Sequence, residues 1–163
     1  GRRGGLMKAG QMKVGQTRAL LDVNVFIALI DDCHPHHELA QRWAAQHTQG
    51  FATCPLVQNG VLRIMANPKY NSLNSTNPFD YPSLFTTLKN SLNEVDHAFW
   101  SDNLSLLDAN YFQHDNIHSH KQLTDIYLLG LAVEHGGCLV TFDRHIALSQ
   151  VRGASPAHVV VLR

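Results

Sequence analysis

QLTDIYLLGLAVEHGGCLVTFDR, residues 122–144, holds two aspartates in chemically different settings. Asp125 follows Thr124 and opens an apolar run through Ile126, Leu128, Leu129, Leu131, Ala132 and Val133. Apolar neighbours at i+3 and i+4 over a broad face read as a buried helix. Thr124 is the expected N-cap, which sets Asp125 in the first turn. Gly136 and Gly137 end the helix, as glycine past a helix C-terminus usually does. Residues 138–142 (CLVTF) then read as a short buried strand, and Asp143 sits just past its end. In a parallel α/β unit helices begin, and strands end, on the same edge of the sheet. Two carboxylates therefore reach one edge from separate positions in the chain.

Working outward, RALLD at residues 18–22 reads as a first strand ending on Asp22, and a short apolar helix starts at Asn24. Residues 51–54 (FATC) read as a second strand, and Pro55 opens the next helix, a preferred proline position. Gln58 and Asn59 fall in the first turns of that helix. Asn67-Pro68 stops it, and residues 67–81 read as a polar loop rich in Asn, Ser and Pro. A helix from Pro82 and a strand at residues 97–100 (HAFW), capped by Ser101-Asp102, follow. Residues 103–121 are weakly periodic. After Asp143, a helical turn at 144–150 leads to a last strand, HVVVL at 158–162. This alternation argues for an α/β fold, a parallel sheet flanked by helices. Right-handed crossovers then put every strand exit on one side, gathering Asp22, the Gln58–Asn59 pair, Asp125 and Asp143.

The bulk properties bound the function. A chain of 163 residues with 44% hydrophobic and 16% charged residues suits one ordered domain. Its formal net charge of +0 means that nucleic acid must be held by a local basic patch. Cys33, Cys54 and Cys138 have no CxxC spacing, which favours reduced thiols and a cytoplasmic protein. No apolar run reaches the ~18 residues needed to span a bilayer. Residues 1–17 are rich in Gly, Arg and Lys without an acid, and read as a flexible extension or tag ahead of a domain at 18–163. Cys33, His34, His36 and His37 suggest zinc, but four ligands so closely spaced rarely wrap a tetrahedral ion, and Pro35 favours a loop entering a helix.

Three carboxylates converging on one point repel one another unless a cation lies between them. Oxygen ligands of that kind suit a hard divalent ion, Mg²⁺ or Mn²⁺, and carboxylate-held Mg²⁺ suits phosphoryl chemistry. A helix cap explains any one of these acids alone; it explains all three at one edge less well. Arg63, Lys121 and Arg144 near the same edge are candidates for holding the phosphates of a substrate.

LLDVNVFIALID near the start, PLVQNGVLRIM in the middle and HKQLTDIYLLGLAVEHGGCLVTFDR near the end resemble the PIN-domain toxins of the VapC type, in order and in spacing. The resemblance runs from about Arg18 to the C-terminus. It implies a three-layer α/β/α sandwich with a four- to five-stranded parallel sheet. It also implies an Mg²⁺- or Mn²⁺-dependent endoribonuclease, the toxin of a type II toxin–antitoxin system, blocked by a cognate antitoxin. Water activated by the ion would attack an RNA phosphodiester in line, leaving 5′-phosphate and 3′-hydroxyl ends. The family's acids carry over onto Asp22, Asp125 and Asp143 as catalytic and metal-holding residues. Thr141 matches a polar residue supporting the site, and Asn24 matches a site-lining position. A homodimer is the expected assembly. Where the family usually has a glutamate this chain has Gln58, which is expected beside the acids without adding charge. An alternative is therefore a weak or inactive PIN-like module acting through protein or RNA binding, with Asp31, Asp32 or Asp102 as possible substitutes for the missing acid. A receiver-like phospho-acceptor domain also gathers acids at one sheet edge, but it wants a lysine at a later strand exit, and no lysine follows Lys121.

Overall fold

The computed structural model describes residues 16–70 and 80–163. Among them five short strands form one all-parallel sheet: β1 (Ala19–Leu21), β2 (Phe51–Thr53), β3 (His97–Phe99), β4 (Cys138–Thr141) and β5 (Val159–Val161), in the order β3-β2-β1-β4-β5. Leu20 of β1 pairs with Ala52 on one side and Leu139 on the other. A strand flanked on both edges and covered on both faces has no use for alternation, which is why β1 and β4 are buried at every position and apolar but for Thr141 at the end of β4.

The helices are α1 (Val23–Ile30), α2 (His37–Gln46), α3 (Pro55–Met65), α4 (Tyr81–Asn93) and α5 (Leu123–Glu134). The chain steps from β1 to β2 to β3 in one direction, so right-handed crossovers place α1 to α4 on one face of the sheet. It then returns past β1 to β4, which puts α5 on the other face. The result is the expected three-layer sandwich. α5 is buried from Ile126 through Ala132, consistent with its apolar residues lying all round the helix. Gly136 adopts φ +65 just past the α5 C-cap, a conformation that costs glycine little.

Several boundaries differ from the sequence expectation. Thr124 is not the N-cap of α5: a 3-10 turn at His120–Gln122 feeds the helix, Gln122 is the N-cap and Leu123 the first helical residue. Asp125 stays in the first turn regardless. Residues 144–150 hold only a 3-10 turn at Leu148–Gln150, and β5 begins at Val159 after another at Pro156–His158. Asp102 caps no strand. Its carboxylate accepts from Leu56 N at 2.9 Å, capping α3 from across the fold. Of the expected loop at 67–81, residues 68–70 are helical and Tyr81 already opens α4; residues 71–79, and residues 1–15 of the expected extension, lie outside the described residues.

The topology also selects a crevice. β1 and β4 are neighbours, yet the chain leaves them towards opposite sides of the sheet. In open parallel sheets ligands bind outside the carboxyl ends of strands at such a switch point. Asp22 directly follows β1, and Asp143 lies two residues beyond β4.

Candidate active site

Asp22 is both the residue after β1 and the N-cap of α1, its Oδ1 accepting from Val23 N at 2.6 Å. It is only 8% exposed. Thr141, the last residue of β4 and 0% exposed, donates its hydroxyl to Asp22 Oδ2 at 3.0 Å. The same hydroxyl oxygen accepts from Asp143 N at 3.0 Å. One buried threonine thus fixes two acids on adjacent strands, a support role that matches the expectation for Thr141. Asp143 Oδ1 in turn accepts from His145 N at 2.8 Å, closing a tight turn that aims the carboxyl back at the crevice.

Asp125 enters from the first turn of α5. Asp22, Asp125 and Asp143 line one open, polar cleft of about 330 Å³ with Asn24, Gly60, Arg63, Thr124 and Phe142. The carboxyl of Asp125 is pushed up to about 7, first by burial, then by the charge of Asp22, then by a hydrogen bond and the charge of Asp143. Asp22 is also raised: burial is the largest cause, partly offset by its bonds to Thr141 and Val23, with the charge of Asp143 adding to it. Such crowding is what a set of carboxylates shows when no cation shares the space. Arg63 lines the cleft without an ion pair to the acids; the ion pair among the described residues is Arg18 with Asp96, at 3.1 Å. The donor set is all oxygen with a surplus of negative charge, which fits a hard divalent cation. The three carboxylates do not draw together within 4.8 Å; among the described residues only Asp31, Asp32 and Cys33 bring three possible ligand atoms that close.

The other expected site residues divide. Asn24 and Arg63 stand in the cleft. Lys121 and Arg144 are exposed and outside its lining, so their place beside the acids is not borne out. Gln58 is the main correction. Its Nε2 donates to Thr53 Oγ1 at 2.9 Å, and that oxygen meets His97 Nε2 at 2.7 Å. Gln58 therefore faces β2 and β3, away from the aspartates. At ~100° per residue, positions 58 and 60 of one helix point nearly opposite ways. The α3 residues turned to the acids are Gly60, Arg63 and Ile64. A Cβ on Gly60 would lie 2.8 Å from Val23 Cγ2, so the glycine lets α3 close against α1. No substitute acid fills the gap: Asp102 caps α3, and Asp31 accepts from the Tyr70 hydroxyl and from Cys33 N.

The histidine-rich loop holds no zinc ligand set. His36 and His34 pack on Phe142 at centroid distances of 4.9 and 6.4 Å, and His37 Nδ1 lies 2.7 Å from Ala28 O. Phe142 itself lines the cleft, a contribution that the sequence reading passed over as the end of a strand. Val23, Gly60, Ile64 and Thr124 were likewise missed as lining residues.

No protein-family model matches the chain. It is 42% identical over 146 residues to Ribonuclease VapC44 of Mycobacterium tuberculosis, across 89% of this chain and 99% of that protein. Ribonuclease VapC39 of the same organism is 38% identical over 138 residues, across 83% and 95%. Ribonuclease VapC38 is 36% identical over 146 residues, across 88% and 99%. Among solved structures, VapBC2 from Rickettsia felis bound to a DNA fragment from their promoter matches with a TM-score of 0.49 at 12% identity, over 79% of this chain and 90% of that one.

Proposed function

Because the chain belongs to the VapC family of PIN-domain ribonucleases, at 42% identity across nearly all of a relative's length, we propose that it is a metal-dependent endoribonuclease and the toxin of a toxin–antitoxin pair. The observation that carries this reading is the single cleft that collects Asp22, Asp125 and Asp143 at the sheet's switch point. Asp22, Asp125 and Asp143 would hold Mg²⁺ or Mn²⁺, which when bound supplies positive charge for the phosphate and makes water a better nucleophile.

The remaining tasks fall to the chain's own side chains. Arg63, free of ion pairs and set at the cleft's wall, receives a phosphate oxygen of the RNA backbone. Thr141 keeps Asp22 and Asp143 in place by hydrogen bonds on both sides of one hydroxyl. Asp125, raised to about 7 by burial and by its two acidic neighbours, would give up its proton when the ion binds, so ion binding should tighten as pH rises through neutrality. Asn24 offers an amide at the mouth of the cleft.

The absence of a glutamate at the α3 position facing the acids favours weak ion affinity, so cleavage would need millimolar metal. A weakly active module acting mainly by binding is the second reading, and this feature is what favours it. Antitoxin binding and homodimer formation are proposed from family membership. Among the described residues no helix is long and apolar enough to cross a membrane. Cys33, Cys54 and Cys138 are free thiols, which fits our proposal of a cytoplasmic toxin.

The test is cleavage of total RNA by the purified protein with Mg²⁺, Mn²⁺ or chelator. Cleavage that needs the ion and disappears in Asp143→Asn is expected. Cleavage equal in chelator and metal, or undiminished in Asp143→Asn, would refute the assignment.

A further inference from the structure

A second cleft lies beside the acid cleft at the same sheet edge, and Thr124 lines both. It measures about 380 Å³ and is walled by Leu56, Leu104, Leu106 and Leu123, with Asp102, Thr124 and Tyr127 as its polar residues. Leu56 and Leu123 are unusually open for leucine, at 37% and 40% exposed. Leu123, Thr124 and Tyr127 share one face of α5 by their i, i+3 and i+4 spacing, while Asp125 is turned to the acid cleft.

The polar groups are arranged for a ligand. Asp102 is anchored by Leu56 N on Oδ2 at 2.9 Å, and its carboxylate stands beside the Tyr127 hydroxyl and the Cys54 thiol. Tyr127 is 8% exposed, and its buried hydroxyl lies beside the Asp102 carboxylate without reaching the geometry of a full hydrogen bond. A buried hydroxyl so poorly paired gains a hydrogen bond when a ligand offers it an acceptor. Apolar walls with one fixed acceptor and one waiting donor match a nucleobase better than a phosphate, which a carboxylate would repel.

We propose that this second cleft binds a guanine base of the RNA whose backbone occupies the acid cleft, Asp102 accepting from the base N1–H and amino group and Tyr127 donating to O6. The occupant's identity as RNA rests on the ribonuclease reading; the choice of guanine rests on the cleft. Guanine alone presents two adjacent N–H donors beside a carbonyl acceptor on its pairing edge. Uracil sets its single N–H between two carbonyls, which a carboxylate repels. Adenine and cytosine each offer one amino donor next to a ring acceptor that would face the carboxylate. Single-stranded RNA is commonly read in this way, by splayed bases bonded on their pairing edges within apolar walls.

The test is titration of the full chain by NMR with the 5′-monophosphates of guanosine, inosine, adenosine, cytidine and uridine, in chelator so that binding does not need the ion. GMP should bind about tenfold or more tightly than AMP, CMP or UMP, as a two-bond carboxylate contact predicts. IMP, which lacks the amino group, should fall between. Asp102→Asn keeps an oxygen for Leu56 N, so it should preserve the α3 cap while bringing GMP down to the level of the others. Tyr127→Phe should weaken GMP without touching that cap, and it decides the matter should Asp102→Asn fail to fold. Equal binding of all nucleotides, no binding at all, or a guanine preference that survives both variants overturns the proposal and leaves an apolar protein contact as the use of the cleft. Cleavage of a random single-stranded RNA is read separately. A wild type that cuts nothing sinks the ribonuclease reading, while the nucleotide titration still decides the base pocket on its own.

Discussion

Replacing Asp125 by Asn removes the charge that the structure makes most expensive. The folded carboxyl titrates near 7 rather than at its ordinary 3.8. Between these values the folded chain holds a proton that the unfolded chain has released. Stability from this group is therefore full below about pH 4 and is lost as pH rises through 7. The whole displacement would be worth about 4 kcal/mol. Asp125 is only half buried, and solvent screens much of that, so a loss of about 1–2 kcal/mol is expected. Asn keeps the shape and cannot ionise. In chelator, Asp125→Asn should match the wild type at pH 4 and exceed it at pH 8 by that amount, about 2–8 °C in Tm for a domain of this size. Asp22 is raised too, so a shallower slope of the same sign should persist in the variant. Millimolar Mn²⁺ should reverse the order at pH 8, because mass action stabilises the protein with all three acids most. Calorimetry at pH 4 to 8, with chelator and with Mn²⁺, reads all of this. Parallel pH profiles for the two proteins, or a variant less stable at pH 8 without metal, would refute the crowding argument.

The remaining expectations are shorter. Thr141→Val keeps the volume but strips the hydroxyl between Asp22 and Asp143 N, so urea unfolding should show a loss of about 2–3 kcal/mol; an unchanged midpoint would deny the hydroxyl its bridging role. Arg63→Ala should leave stability within about 0.5 kcal/mol of the wild type while weakening RNA binding and lowering the salt slope by about one. A slope that stays the same in anisotropy titrations would place Arg63 off the phosphate path. Gln58→Glu loses the donor to Thr53 Oγ1, so it should cost about 1 kcal/mol equally in chelator and in Mn²⁺. A metal-dependent difference would return residue 58 to the acid cleft.

Much of the fold was legible because the signals were redundant. β1 and β4 are buried at every position and apolar up to Thr141, Pro55 opens α3, and Gly136 follows the α5 C-cap, each where its local chemistry puts it. Chain direction alone then brought Asp22, Asp125 and Asp143 to one edge, and errors of one or two residues in element ends did not disturb that. What could not be read was the source of the caps. Thr124 has the side chain of an N-cap, but the preceding 3-10 turn carries the chain into α5 two residues earlier. Asp102 looked like the end of a strand, and it instead caps a helix 46 residues away in sequence. Pairings across such distances leave no trace in local periodicity.

The site shows the same division more sharply. The acids were found by topology, which needs only the edge; Gln58 was misplaced because membership of a helix at that edge says nothing about which side of the helix faces in. Orientation needs a phase, and the phase was available. Val57 and Val61 are the fully buried pair of α3, one turn apart, and they fix the direction of the core. From that axis Gly60 and Ile64 lie to one side of the core direction, and Gln58 and Leu62 to the other. Two of the clefts that α3 borders divide along the same line: Gly60, Arg63 and Ile64 meet the aspartates, while Gln58 and Leu62 meet α4 and β3. A mid-helix glycine costs about 1 kcal/mol relative to alanine and calls for a reason. Here the reason is the approach of α1 to α3 over Val23, which carries Asp22 and Asn24 toward the helix that bears Arg63. The glycine thus brings a cation-bearing helix close to the acids while adding no carboxylate of its own, and the site it leaves combines three acids with one unpaired arginine.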